Sequence, residues 1–541
     1  MRRFAALTAV LALLTVVSGR PQAAPAPAPK LAVIIVVDQM RADYVDTFQA
    51  DWTGGLKRLV KEGAWFRQAA YPYLTTVTCA GHATIGTGAY PHRHGVMQNA
   101  WWNRGTATNV TCTADASVKN IGYTKTETGG DSAAAQRTPT FADEMRAQKA
   151  SHVATVSLKD RSAIMLAGHG GDSVVWLNNA LDGWETSSAF ASAPVPAIKA
   201  YLDANPIDAD YGKTWTRMLP EGRYLHPDDG LEESPPKGWT STFPHPLTSA
   251  SGHPDAEYRA LWERSPFGDA YLGRFAAAVV DGLQLGTHDT TDVLAVSFSS
   301  PDLVGHAFGP RSQEIQDMYA NLDRTIGTLL DHLDAAVGKG KYVVALSADH
   351  GVSPIAEQLA HEGRDGGRLD PRAIGEAAEK AAAAVLGDGK YVARENGNDL
   401  YFLPGVYERL SAKPGALDAV VAAVAAQRGI QRVFKAEEVA NADTATEPLQ
   451  RAAALSYVAG RSGDLLLAPK AGWEFIATGA THGTANAEDQ RVPILLMGPG
   501  IRHGEYRQPA SPADIVPTLA ALSGILVPHA EGRVLREALR K

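Results

Sequence analysis

The 541-residue chain has two cysteines, no long run of basic charge and, beyond its start, no apolar stretch long enough to cross a bilayer. Two cysteines are too few for a disulfide scaffold, so an ordinary buried core must hold the fold. Cys79 and Cys112 are open to two states, one bridge or two free buried thiols. Lys and Arg number 51 against 59 Asp and Glu, a formal charge of −8. With no basic block, nucleic acid is excluded as the expected partner. No Gly-x-Ser-x-Gly sequence occurs, which removes the nucleophile elbow of the serine hydrolases. No internal repeat is visible.

What is present begins with Arg2 and Arg3, followed by an apolar stretch from Phe4 to Val17. This is the layout of an export signal, too short to span a membrane comfortably. Residues 1–24 are therefore expected to be removed, with cleavage between Gly19 and Ala24, and the mature chain to be periplasmic or secreted without a membrane span. "APAPAPK" then reads as an extended linker.

Five apolar runs read as buried parallel strands: residues 31–37, 153–158, 293–298, 342–348 and 492–498. Helical spacing joins Ile315, Met318, Leu322, Ile326, Leu329 and Leu333, with Ser312 as cap. A second helix is expected over 511–524, capped by Ser511 and ended by Gly524. Strands alternating with helices predict an α/β fold, a mostly parallel central sheet with helices on both faces. Core segments over 30–184, 276–355 and 471–541 are expected. They are separated by a Pro- and Trp-rich looped insertion over 185–275 and an Ala-rich α+β cap over 356–470.

In open α/β sheets ligands bind beyond the carboxyl ends of the strands. Asp38 follows the first run, Lys159 and Arg161 the second, Asp302 and His306 the third, and Asp349 and His350 the fourth. His482 precedes the fifth and is expected at the same rim. Imidazoles mixed with carboxylates favour zinc or a similar ion over Mg²⁺ or Ca²⁺. Asp302 and His306 share a helix face at four-residue spacing. Six such side chains exceed the three that one catalytic zinc takes from protein, so two metal ions fit better.

The segments "VVDQMRADY", "TTVTCAGHATIGTGAYPHRHGVMQN", "SLKDR", "SPDLVGHAFGP", "SADHGV" and "THGT" stand between residues 36 and 484. In this order they resemble the alkaline phosphatase superfamily, nearest its threonine-nucleophile (PafA-like) bacterial alkaline phosphatases, relatives of the nucleotide pyrophosphatase/phosphodiesterases. The resemblance implies an alkaline phosphatase-like fold. It implies one zinc on Asp302, His306 and His482, and another on Asp38, Asp349, His350 and the oxygen of Thr78. Thr78 would be the nucleophile, forming a phospho-threonine, and Asn99, Lys159 and Arg161 would bind phosphoryl oxygens. Thr75, Thr76, Thr87 and His82 are read as structural.

The expected activity is hydrolysis of small-molecule phosphate monoesters. Lys159 and Arg161, placed two apart on an extended segment and so facing one side, favour a monoester dianion over a diester. The alternatives are a phosphodiesterase or nucleotide pyrophosphatase on the same residues, and a non-catalytic exported metal-binding protein. The oligomeric state and the physiological ester are left open.

Overall fold

The structure, a computed structural model, describes residues 28–125 and 129–540. The expected export signal lies outside the described residues. A ten-stranded sheet forms the centre. Its five inner strands run parallel, in the order Tyr342–Ser347, Leu31–Val37, Asp292–Phe298, Val153–Ser157 and Ser173–Leu177.

The Leu31–Val37 strand shows why these runs are apolar without interruption. Leu31, Val33, Ile35 and Val37 enter one core cluster, while Ala32, Ile34 and Val36 enter another on the opposite face. Both faces are covered, so the two-residue alternation of a half-buried strand disappears. Helices Gln313–Leu333 and Pro266–Gly282 pack on the first face. Helices Phe141–Lys149 and Ile515–Ser523 pack on the second. Ser312 caps its helix by accepting from the Ile315 N–H at 3.1 Å, as expected, and Gly524 ends the last helix in the left-handed conformation.

One strand departs from expectation. Ile494–Met497 is antiparallel to Tyr342–Ser347, with Leu495 opposite Leu346. The reversal explains the position of His482. Residues before an antiparallel strand lie beside the carboxyl end of its neighbour, whereas a parallel strand would have left them at the far edge.

Residues 392–469 hold a separate four-stranded antiparallel sheet. Helices Pro371–Leu386 and Ala416–Ala425 pack on it to form their own core around Leu400, Phe402, Val420 and Leu465. The segment from 185 to 275 contains more helix than its irregular sequence predicts, including Pro196–Ala204 and Ala256–Glu263. Trp215 anchors it by donating from Nε1 to Asp317 Oδ2 at 2.7 Å.

Candidate metal and phosphoryl site

The carboxyl ends of the parallel strands deliver their polar residues to one buried point. Asp38 follows Val37. Asp302 and His306 stand one turn apart on helix Ser300–Phe308, which starts just after Phe298. Asp349 and His350 follow Ser347, and the segment before Ile494–Met497 brings in His482. Asp38, Asp349 and His350 have no measurable exposure.

Two groups of ligand atoms result. In the first, Asp302 Oδ1 lies 3.2 Å from His306 Nε2 and 3.6 Å from His482 Nε2. In the second, His350 Nε2 lies 3.3 Å from Asp349 Oδ2, 3.5 Å from Asp38 Oδ1 and 3.5 Å from Thr78 Oγ1. Asp38, Asp302 and His350 also offer atoms within 4.8 Å of one another, so Asp302 borders both groups. Four ligands held tetrahedrally at about 2.0–2.2 Å stand roughly 3.3–3.6 Å apart. These separations fit a zinc-like ion.

The histidine tautomers fit as well. Nδ1 of His306 donates to Ala480 O at 2.8 Å, that of His482 to Thr76 O at 2.8 Å, and that of His350 to Gly351 O at 2.9 Å. Each ring thereby presents an unprotonated Nε2 when neutral, the arrangement of a metal ligand. Asp38 Oδ1 and Asp349 Oδ2 have no hydrogen-bond partner although they are buried.

Electrostatics point the same way. Burial, then Asp302 and Asp349, push the Asp38 carboxyl well above its ordinary range. Burial works against protonation of His350, yet Asp349, Asp38 and Asp302 together raise it to about 9. Burial also works against the Lys159 ammonium, but Asp302 and Asp38 raise it. Three buried carboxylates draw in whatever positive charge is at hand, the setting in which divalent ions bind and displace protons.

Thr78 opens helix Thr78–Thr87, whose ten residues are all buried. Gly81 on this helix lets it sit against the Asp349 backbone, since a Cβ there would meet Asp349 O at 2.1 Å. Cys79 and Cys112 are joined in a disulfide, which settles the open choice between bridge and thiols. Asn99 lies beside the bridge: its Oδ1 accepts from Cys79 N–H at 2.8 Å and its backbone carbonyl from Cys112 N–H at 2.9 Å. Thr76 and Thr87 bond to backbone carbonyls, in keeping with structural roles.

Lys159 and Arg161 correct one expectation. They do not share an extended segment, because Lys159 occupies the position just before helix Asp160–Ala167 and Arg161 is in that helix's first turn. Lys159 Nζ sits between Asp38 Oδ2 at 2.7 Å and Asp302 Oδ2 at 2.6 Å, inside the carboxylate group. Arg161 is only loosely paired, 3.8 Å from Asp160, and its buried Nε has no partner.

Two residues escaped the sequence reading as positioning groups. Gln39 donates from Nε2 to Asp302 Oδ1 at 2.7 Å and from its backbone to Asp349 Oδ1 at 3.1 Å, so it ties the two groups together. His82 donates from Nδ1 to Thr78 O at 2.9 Å, with Asp349 Oδ2 at 3.2 Å, while its Nε2 accepts from Ser297 Oγ at 2.8 Å. Its spacing, four residues after Thr78 on one helix face, was the available signal. Gln39 gave none, since its role depends on a left-handed backbone turn at φ 68°.

Residues 32–490 match the family of type I phosphodiesterases and nucleotide pyrophosphatases. Alkaline phosphatase PafA of Elizabethkingia meningoseptica is 31% identical over 526 residues, covering 95% of each chain. The crystal structure of wild-type alkaline phosphatase PafA superimposes with a TM-score of 0.88 at 30% identity, over 95% of this chain and 99% of that one. A variant of that enzyme, substituted at a threonine, an asparagine, a lysine and an arginine, gives 0.87 at 30% identity and the same coverage. Agreement over nearly the whole length, in sequence and in fold, places this chain in the type I phosphodiesterase/nucleotide pyrophosphatase family.

Proposed function

We propose that the chain is an alkaline phosphatase, exported to the periplasm or secreted, that hydrolyses small phosphate monoesters with two zinc ions and a phospho-threonine on Thr78. The observation that carries this reading is the convergence of Thr78 Oγ1 on His350 Nε2, beside Asp38 and Asp349 and next to the Asp302–His306–His482 group. The relative's variant, altered at a threonine, an asparagine, a lysine and an arginine, supports it, because Thr78, Asn99, Lys159 and Arg161 occur here in that order.

Asp302, His306 and His482 would hold one zinc, and Asp38, Asp349, His350 and Thr78 Oγ1 the other. Bound there, the ions supply the charge that favours an alkoxide, a hydroxide and the departing ester oxygen near neutral pH. The chain itself positions the reactants. Thr78 Oγ attacks phosphorus in line as the P–O bond to the alcohol breaks, and the phosphoryl group stays on Thr78. Water then attacks the same phosphorus from the opposite side, releasing inorganic phosphate and restoring the hydroxyl. Asn99 donates its amide N–H to a phosphoryl oxygen without adding charge, because its Oδ1 is already occupied by Cys79 N–H. Arg161 offers a planar pair of donors, and Lys159 a point charge. These groups stabilise charge on the phosphoryl oxygens in both steps.

Turnover of p-nitrophenyl phosphate and of its bis ester by zinc-loaded protein tests the reading. The monoester should be the better substrate. Thr78→Ala should remove activity on both esters. Arg161→Ala should lower monoester kcat/KM by about 10²-fold, the scale of a charge-assisted contact of about 2–3 kcal/mol, and affect the diester less. Preference for the bis ester, or monoester turnover untouched by Arg161→Ala, would instead favour the diesterase reading.

A further inference from the structure

Among the ligand residues of the first metal group, His306 is the most open, with 31% of its side chain exposed against 6% for His482 and 5% for Asp302. It forms part of one wall of a cleft of about 620 Å³, within the range typical of small-molecule sites. The other walls come from three parts of the chain. Leu303 and Ala307 are on the helix that carries Asp302 and His306, Pro235 and Pro236 are in the 185–275 segment, and Ile476 lies just before His482. The cleft is fixed to the metal-binding helix, because Ser234 N–H donates to Ala307 O at 2.7 Å.

Several polar side chains around this cleft already have a partner. Lys237 pairs with Glu257 at 2.7 Å, Arg264 with Glu263 at 2.6 Å, and Ser234 Oγ donates to Thr478 Oγ1 at 3.2 Å. A sugar or glycerol moiety would bring hydroxyls against the largely apolar surfaces of Leu303, Ile476, Pro235 and Pro236, and would have to give up water for carbon there. An alkyl or aryl group exchanges water for the surfaces of Leu303, Ile476 and the two prolines.

We infer that this cleft is the subsite for the alcohol part of the ester, and that it selects phosphate monoesters of apolar alcohols. The inference rests on the phosphomonoesterase reading above. The phosphoryl group held near Thr78 and Arg161 directs its ester oxygen toward His306 and so toward the cleft. The 185–275 segment thereby contributes to substrate choice without touching the phosphoryl group.

The test uses n-alkyl phosphates from methyl to hexyl, whose alcohols leave with similar basicity, and the matching phosphonates as non-hydrolysed ligands. Zinc-loaded protein should show kcat/KM rising about two- to four-fold per methylene until the cleft is filled, the scale expected for partial to full burial of each group. Calorimetry should show hexylphosphonate binding at least about 30-fold more tightly than methylphosphonate. Ile476→Asn should cut both preferences about five-fold or more, and Ile476→Leu should retain them. Equal affinities along the series, or a chain-length preference that Ile476→Asn leaves intact, would overturn the subsite while leaving the phosphatase reading in place. Absence of turnover on every monoester would overturn both.

Discussion

The backbone N–H of Cys79 donates to Asn99 Oδ1 at 2.8 Å, and the same cysteine is bonded through sulfur to Cys112, whose N–H donates to Asn99 O. Asn99, proposed to hold the phosphoryl group, is thus hydrogen-bonded to both ends of the disulfide whose first cysteine follows the proposed nucleophile Thr78. Cys79→Ser/Cys112→Ser should fold and bind metal but lower kcat/KM about ten-fold, with KM and inhibition by inorganic phosphate moving most. Asn99→Ala should cost about 1–3 kcal/mol in the native background and far less in the double-serine background. Equal losses in both backgrounds, measured as a double-mutant cycle, would show that the bridge does not position Asn99.

Metal removal should act on stability as well as on turnover. Three carboxylates are buried together, and the positive charge that offsets them comes from Lys159 and from the histidines when protonated. A chelator should abolish monoester hydrolysis and lower Tm by several degrees. Zinc should restore both, whereas magnesium or calcium should not, because imidazole nitrogen suits zinc better than the alkaline earths. Full activity in magnesium after exhaustive chelation would contradict the donor chemistry.

Gly81→Ala tests the close approach of the Thr78 helix to Asp349. The added methyl would fall 2.1 Å from Asp349 O, so helix or strand end must shift. The expected outcome is a loss of about 1–3 kcal/mol in stability, typical of overpacking, with kcat reduced more than KM is raised. A variant with native kcat and native stability would show that the contact is easily relieved.

His94, which belongs to neither ligand group, supplies a pH test. Its Nδ1 accepts from Val96 N–H at 3.1 Å and its Nε2 lies 3.2 Å from Thr84 Oγ1, an arrangement that suits the neutral ring. Burial, then the charges of His92 and Arg461, depress it to about 3. The unfolded chain takes up this proton below about pH 6.5 while the native chain does not until about pH 3. The unfolded state binds more protons between these values, so native stability falls as pH falls. The slope from this residue approaches about 1.4 kcal/mol per pH unit. The stability advantage of wild type over His94→Asn, from denaturant unfolding, should shrink from pH 7 to pH 4. A constant difference would rule the residue out as an acid-sensitive group.

Much of the site was legible because apolar runs of unmistakable length end in charged residues. Val37 is followed by Asp38, and the runs ending near residues 298 and 348 are followed by Asp302 and Asp349. Burial of both sheet faces makes such runs stand out, and the strand ends then point to one rim. Strand direction was not legible, since hydrophobicity carries no polarity, and the run at 494–497 reads the same either way. The Cys79–Cys112 bridge depends on a long-range approach that spacing does not encode. Lys159 was placed correctly at the rim, but its insertion between Asp38 and Asp302 follows from the helix that starts at Asp160.

The reversed strand at Ile494–Met497 has a consequence for the order of assembly. It brings His482 back beside Asp302 and His306, so this group is incomplete until residue 482 has emerged. A polypeptide threading outward from its amino end would expose Asp38 and Thr78 long before that group can close. A product cut short before His482 would carry every residue of the Asp38–Thr78–Asp349–His350 group and still lack the third side chain of the Asp302–His306–His482 group.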